Sequence, residues 1–357
     1  MPWTRKFQHQ AASIDDDGEG LKGHLVKFGA SELYRLGLLR EVGWQDKGLD
    51  GHFQQQRYKA DNGNSQANKA WFDRMRVAFG ELDSFSNFVP LCGPFKFLDL
   101  GCCPGGFTSY ILQKNSDAVG VGISLPVIQS GHHYLLERHL RPRFTLHMAD
   151  MLYYSLHPPH TPAMTHGLNP LPDDLTRQFD LVMLDGHQLR TYSGPARQDA
   201  EDWDRHRLFV SQFVIALRTV KAGGTMVVKM SHPERAGTGL WLMILDKLSG
   251  SLTTRKPRTI HSNRGTFYVI AKEVGLGREG NKLDEYMHAL ERLWYEISFG
   301  GDEGKGRALT VADLSFAATY EEMVSEASLL RLVELGNDPW TVQADALQQW
   351  FMKKGLL

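Results

Sequence analysis

Between Lys96 and about Lys272, short aliphatic and β-branched runs alternate with segments of helical periodicity. That alternation predicts an α/β fold with a mostly parallel, doubly wound sheet. Strands are predicted near Lys96–Leu100, Ala118–Ile123, Phe144–Met148, Phe179–Leu184, Thr225–Met230 and Phe267–Ala271, with Leu252–Arg255 as an additional one. The stretch from Pro158-Pro159-His160-Thr161-Pro162 to Pro170-Leu171-Pro172 is too rich in proline for regular structure and predicts a surface insertion near the sheet's functional edge.

The flanks carry helical patterns instead. Ser31 to Leu39 is amphipathic with Ser31 as its expected cap. Asn68 to Leu82 is a second amphipathic piece, with Trp71, Phe72, Met75, Val77 and Phe79 as its apolar residues. Asn62-Gly63-Asn64-Ser65 between them reads as loop, and Arg138, Arg141 and Arg143 as the cationic end of a helix. Beyond Leu283 the stripe Tyr286, Leu290, Leu293 and Ile297 predicts a helix, and Asp338-Pro339-Trp340 predicts the start of another. The expected organisation is a loose tail over 1–20, a helical extension over 21–88, the α/β domain over 89–275 and a helical region over 276–357.

Composition changes this picture little. Hydrophobic residues make up 42% of the chain and the formal net charge is −1, which excludes a wholly disordered protein. The charge is uneven: residues 276–357 hold 14 acidic and 8 basic side chains, leaving +5 on residues 1–275. That is compatible with an anionic substrate without demanding one. Three cysteines, Cys92, Cys102 and Cys103, lack metal-ligand spacing and indicate neither a disulfide framework nor a zinc site, so no metal is expected. The N-terminus shows no apolar signal region and the chain no run of about 18 apolar residues, so a protein that is intracellular, in cytoplasm or nucleus, neither secreted nor membrane-bound, is expected.

The chemistry concentrates where the first predicted strand, Phe97-Leu98-Asp99-Leu100, runs into Gly101-Cys102-Cys103-Pro104-Gly105-Gly106-Phe107 and a helix. Such a turn sets bare backbone and helix N–H groups against a ligand, the setting of a nucleoside cofactor. The order is not the G-x-G-x-x-G of dinucleotide enzymes. It resembles the D-L-G/C-A-A-P-G-G-F/W-S/T motif of the FtsJ/RrmJ-type ribose 2′-O-methyltransferases. Phe179-Asp180-Leu181-Val182-Met183-Leu184-Asp185-Gly186 resembles that family's strand ending in a catalytic aspartate, and Gly223-Gly224-Thr225-Met226-Val227-Val228-Lys229 its G-G-x-x-V-x-K strand.

The resemblance covers roughly residues 69–272 and implies a Rossmann-like sheet that binds S-adenosylmethionine (SAM), here with helical extensions at both ends. It implies that Asp99, Gly101, Cys102, Pro104, Gly105, Gly106, Phe107, Asp150 and Asp185 line the cofactor, with Lys229 as base and Asp185 positioning it. The family's K-D-K-E tetrad is incomplete. Asp73 stands at the position of the first lysine, with Lys69 one helical turn earlier as a substitute, and Thr266 stands where the glutamate is expected.

RNA is the implied partner. Gly122-Ile123-Ser124-Leu125 resembles the G-x-T-L segment of cap ribose methyltransferases and favours a cap-like over a ribosomal substrate. Arg255, Lys256, Arg258 and Arg264, clustered before the last strand, are the candidate phosphate contacts. Two alternatives stay open: an enzyme of the same fold with a non-RNA acceptor, and a pseudo-enzyme that binds SAM or RNA. The C-terminal helices could carry a protein partner or self-association.

Overall fold

A computed structural model describes residues 19–46, 51, 65–157, 167–172, 175–189, 204–301 and 304–357. Its centre is a seven-stranded sheet: β1 (Phe95–Leu100), β2 (Ala118–Ser124), β3 (Phe144–Met148), β4 (Phe179–Leu184), β5 (Val220–Ser231), β6 (Ser249–Arg255) and β7 (Thr266–Val274). The strand order is β3-β2-β1-β4-β5-β7-β6. Neighbours pair in parallel except β7, which runs antiparallel to both β5 and β6.

Alternation along the strands assigns each face its helices. Phe97, Leu181, Met183, Val227, Tyr268 and Ile270 point to one face, where they pack with Met75, Phe79, Phe107 and Ile111. These last come from α3 (Ser65–Ser86) and α4 (Gly106–Lys114). Leu98, Leu100, Val182, Leu184, Met226, Val228 and Val269 point to the other face. There they meet α1 (Glu19–Lys27), α2 (Ser31–Gln45), α5 (Asp204–Thr219), α6 (Ala236–Leu248), α7 (Leu283–Phe299) and α8 (Glu326–Lys354). Both terminal extensions therefore cover the same side of the sheet, and α2 lies directly against α8.

Several expectations are corrected. Asp338-Pro339-Trp340 starts no helix but lies inside α8. Pro339 lacks the N–H that would reach the Leu335 carbonyl four residues back, and Thr254 Oγ1 of β6 donates to that carbonyl in its place. Ser31 is the first helical residue rather than the cap; Ala30 holds the cap position without a side-chain bond. Glu19 and Gly20, expected in the tail, open α1. Arg141–Arg143 is a short 3-10 turn, and Arg143 donates to the carbonyls of Leu112, Asn115, Ser116 and Ala118, so it serves the C-terminal end of α4.

Residues 1–18, the loop residues 62–64 and the prolines at 158, 159 and 162 lie outside the described residues. Of the expected insertion, Asn169–Pro170 pairs in parallel with Tyr154–Ser155. No helix among the described residues is long and apolar enough to cross a membrane.

Candidate active site

The strand order reverses between β1 and β4, and the crevice beyond the carboxyl ends of parallel strands at such a point is the usual ligand site. Here the two strand ends are stitched together. The Leu100 carbonyl accepts from both Asp185 N and Gly186 N at 3.0 Å, and Gly101 N donates to Ile123 O at 2.8 Å. Gly101 has φ +85°, and a Cβ there would lie 2.5 Å from both Cα and N of Gly186. Neither the conformation nor the space admits a side chain. Gly101→Ala is expected to push the Asp185-Gly186 strand end outward and weaken SAM binding at least about tenfold, read by isothermal titration calorimetry. Unchanged affinity in a folded variant would separate the cofactor site from this junction.

The other two glycines act differently. Gly105, at φ +109°, supplies a left-handed cap to α4, where a Cβ would meet only Leu136 at 3.6 Å. Gly106 lets α4 settle on α3: a Cβ would lie 2.6 Å from Met75 Cβ and from the Phe72 carbonyl. Because α4 starts without a side-chain cap, its first N–H groups are left for a ligand or water. A glycine turn beside an uncapped helix start suits the polar end of an amino-acid-bearing nucleoside, so the residues present fit SAM.

The remaining cofactor candidates spread over several depths. Asp99 is buried and accepts from Thr108 Oγ1 at 2.7 Å. Burial raises its pKa to about 8, with the Thr108 hydrogen bond opposing and Asp185 adding to the rise. Cys102 and Cys103 are buried, their N–H groups directed at Ile123 O and Ser124 Oγ, and Pro104 follows a cis peptide bond. Phe107 is enclosed in the core, stacked on Phe79 at 4.6 Å and edge-on to Tyr268 at 5.9 Å. Asp150, beyond β3, caps the short turn Met151–Tyr153 by accepting from Leu152 N at 3.0 Å.

On the opposite wall stands Lys229, in register with Tyr268 across β5 and β7. Its Nζ lies 3.4 Å from Asp185 Oδ1, donates to the Asp185 carbonyl at 3.2 Å and meets His187 Nδ1 at 3.2 Å. Tyr268 OH donates to the same Oδ1 at 2.8 Å. Burial, reinforced by Asp185, pushes the Tyr268 phenol well above its ordinary range, so it remains a donor. Thus the carboxylate is buried and gripped by a phenol and an amine at once.

Three histidines surround this pair. The Lys229 ammonium holds His187 well below the usual histidine range. Burial, then Lys229, lowers His132, and the same two causes bring His261 down to about 3. His261 in turn sits edge-on to Trp71 of α3 at 5.6 Å. All three imidazoles are therefore neutral near pH 7. Among the described residues no group of three or more His, Cys, Asp or Glu could hold a metal ion.

Asp185 and Lys229 meet as the sequence motifs imply, but Lys69 does not join them in any contact the structure shows. Its Nζ pairs with Asp73 Oδ1 at 2.6 Å on the exposed side of α3. Thr266 opens β7, and its carbonyl accepts from Lys256 Nζ. Of the four cationic candidates, two are turned into the protein. Lys256 is buried, with its ammonium on the Arg264 and Thr266 carbonyls, and burial lowers its pKa to about 7. Arg255 pairs with Asp338 at 2.7 Å and covers the Phe85 ring. Arg258 and Arg264 are exposed. The sequence reading missed the histidines and Tyr268, because single residues from four separate segments form no local pattern.

Residues 80–274, more than half of the chain, match the FtsJ-like methyltransferase family. The chain belongs to that family. The sheet order and its antiparallel seventh strand are those of a Rossmann-like methyltransferase, carrying helical extensions at both ends, and FtsJ-like membership implies SAM as the methyl donor. Comparison with curated proteins finds no match. Among solved structures, one described as a ribosomal RNA methyltransferase from Plasmodium falciparum is 18% identical over 57% of this chain and 98% of its own, with a TM-score of 0.35. Phosphoethanolamine N-methyltransferase 1 of Haemonchus contortus is 13% identical over 68% of this chain and 53% of its own, at 0.38. A TehB-like SAM-dependent methyltransferase from Corynebacterium glutamicum is 15% identical over 62% and 97%, at 0.30. Likenesses of this size carry no argument about the acceptor.

Proposed function

We propose that this FtsJ-like protein methylates a ribose 2′-hydroxyl of RNA, using SAM, with Lys229 as general base and Asp185 as its positioning partner. The observation that supports this best is the placement of the Lys229 amine 3.4 Å from a buried carboxylate directly beside the glycine turn. When bound, SAM supplies a methyl group activated by a cationic sulfur. A ribose hydroxyl is a very weak acid, so the site must hold it in line and take its proton as the new bond forms. In its deprotonated form, Lys229 would receive that proton and become an ammonium. Asp185 steadies the amine and contributes negative charge where positive charge gathers.

Asp150 and the uncapped start of α4 are proposed to hold the adenosyl and methionyl ends of SAM. Arg258 and Arg264, exposed before β7, are proposed to contact substrate phosphates; Arg255 and Lys256 are drawn into the protein. The Gly122-Ile123-Ser124-Leu125 segment supports a cap-like substrate.

The test is methyl transfer from tritiated SAM to total RNA, capped RNA and a small-molecule extract in parallel. Label in RNA that resists alkaline cleavage at the modified nucleotide is the expected result. Label confined to the extract would assign another acceptor, and SAM binding without any transfer would assign a binding role.

A further inference from the structure

An amine acting as base at a fixed point needs its tetrahedral nitrogen held against rotation about the Cε–Nζ bond. In the neutral amine, one acceptor leaves the lone pair two directions to point; two acceptors leave it one. Asp185 supplies one partner through its carbonyl oxygen, at 3.2 Å. The other comes from outside β4. His187, two residues beyond Asp185, places Nδ1 3.2 Å from the same nitrogen.

We propose that His187 is a positioning residue for Lys229, accepting one of its N–H bonds through an unprotonated Nδ1 and so aiming the remaining direction at the acceptor hydroxyl. This rests on the reading of Lys229 as base. The groups facing Lys229 come from every element around it: Asp185 at the end of β4, His187 after it, His132 after β2, His261 before β7 and Tyr268 on β7. Only Asp185 is anionic. Because the Lys229 ammonium disfavours protonation of His187, that ring is an acceptor toward the charged amine. A charged imidazole would present N–H to N–H and turn the amine away. The His187 residue is exposed, so replacing it leaves the core intact.

His187→Leu removes the acceptor, whereas His187→Asn keeps a polar atom near the Nδ1 position. Two readouts separate this proposal from the reading beneath it. The first is kcat and its pH profile on the RNA that wild type methylates. The second, independent of turnover, is the rate of acetylation of Lys229 by acetic anhydride across pH, followed by mass spectrometry.

For His187→Leu, kcat is expected to fall about 10- to 100-fold with SAM affinity unchanged, because misplacement by about 1 Å costs on that order. A hydrogen bond accepted from an ammonium favours the charged form. Its loss is therefore expected to move the acid limb of the profile, and the acetylation midpoint, about one unit lower. His187→Asn is expected to recover most of both. An acetylation midpoint and a kcat that do not move in His187→Leu would overturn the assignment. If wild type labels no RNA but the acetylation midpoint still shifts, the contact stands and the RNA reading falls.

Discussion

Lys229→Met is expected to lower methyl transfer roughly 10²- to 10⁴-fold, the usual share of a positioned general base, while SAM affinity stays within a few-fold. The separation follows from geometry. Lys229 contacts Asp185 and His187 across the crevice from the glycine turn, so removing its amine takes away the proposed proton acceptor without touching Gly101, Gly105 or the start of α4. Met keeps most of the apolar stem, which holds the packing of β5 against β7. Single-turnover kinetics with tritiated SAM, beside calorimetry of SAM binding, make the measurement. Full turnover in the variant would place the base elsewhere and withdraw the proposed mechanism.

The second large effect is on stability, at Glu234. This buried carboxylate accepts from Arg40 of α2 at 2.7 Å, from the Trp340 indole of α8 at 2.9 Å, and lies 3.2 Å from His232 Nδ1. One side chain thus joins both terminal extensions to the loop following β5. Burial pushes its pKa up, but the His232 hydrogen bond and the Arg40 charge outweigh that and hold the carboxyl well below the carboxylate range.

Glu234→Ala is expected to cost about 3–5 kcal/mol, since it takes the carboxylate from a half-buried guanidinium, which keeps Gln343, and from the buried Trp340 N–H. Urea denaturation measures it. Adding Arg40→Met should return part of the loss, because removing both charges costs less than stranding one. The sign of the pH dependence follows from the depressed pKa. The contribution is complete above the unfolded carboxylate range, near 4.5, and fades as pH falls below it. A loss under about 1 kcal/mol, or one insensitive to acid, would show that the extensions are held by apolar packing alone.

How much of this was legible in the chain depended on where the determining contact lay. Phe179–Leu184 reads correctly to the residue because both faces of β4 are buried from Leu181 to Leu184, which writes a continuous apolar run, with Asp180 at the strand's edge paired to Lys221. The junction from Asp99 to Phe107 was legible as strand, turn and helix because it is encoded in consecutive residues, and Asp185 as the residue that ends the β4 run. Pro339 misled because the local signal for a helix start is real. What cancels it, Thr254, is 81 to 85 residues away on β6, binding the Leu335 carbonyl.

Lys69 shows the same limit on the functional side. Its helix position was right, but its charge is answered by Asp73 one turn on, a pairing that competes with any role in the crevice. The partners that shape Lys229 come from residues 132, 185, 187, 261 and 268. Only Asp185 stood inside a motif. Histidines brought together by tertiary structure leave no periodicity to read.

The side-by-side seating of α2 and α8 has a consequence during synthesis. Arg35 of α2 binds Asp345 and Gln348 of α8, and Leu33, Leu36 and Leu39 share one apolar cluster with Leu332, Leu335 and Trp340. Helix α2 therefore waits for a helix made about 300 residues later. Until residues 326–354 emerge, the part of that sheet face beside β6, and the apolar side of α2, lack the helix that covers them, so a ribosome paused short of that stretch carries a sticky, unfinished chain. Contacts spanning about 300 residues also carry a high loop-closure cost, which favours slow docking of α2 onto α8 after the central sheet has formed.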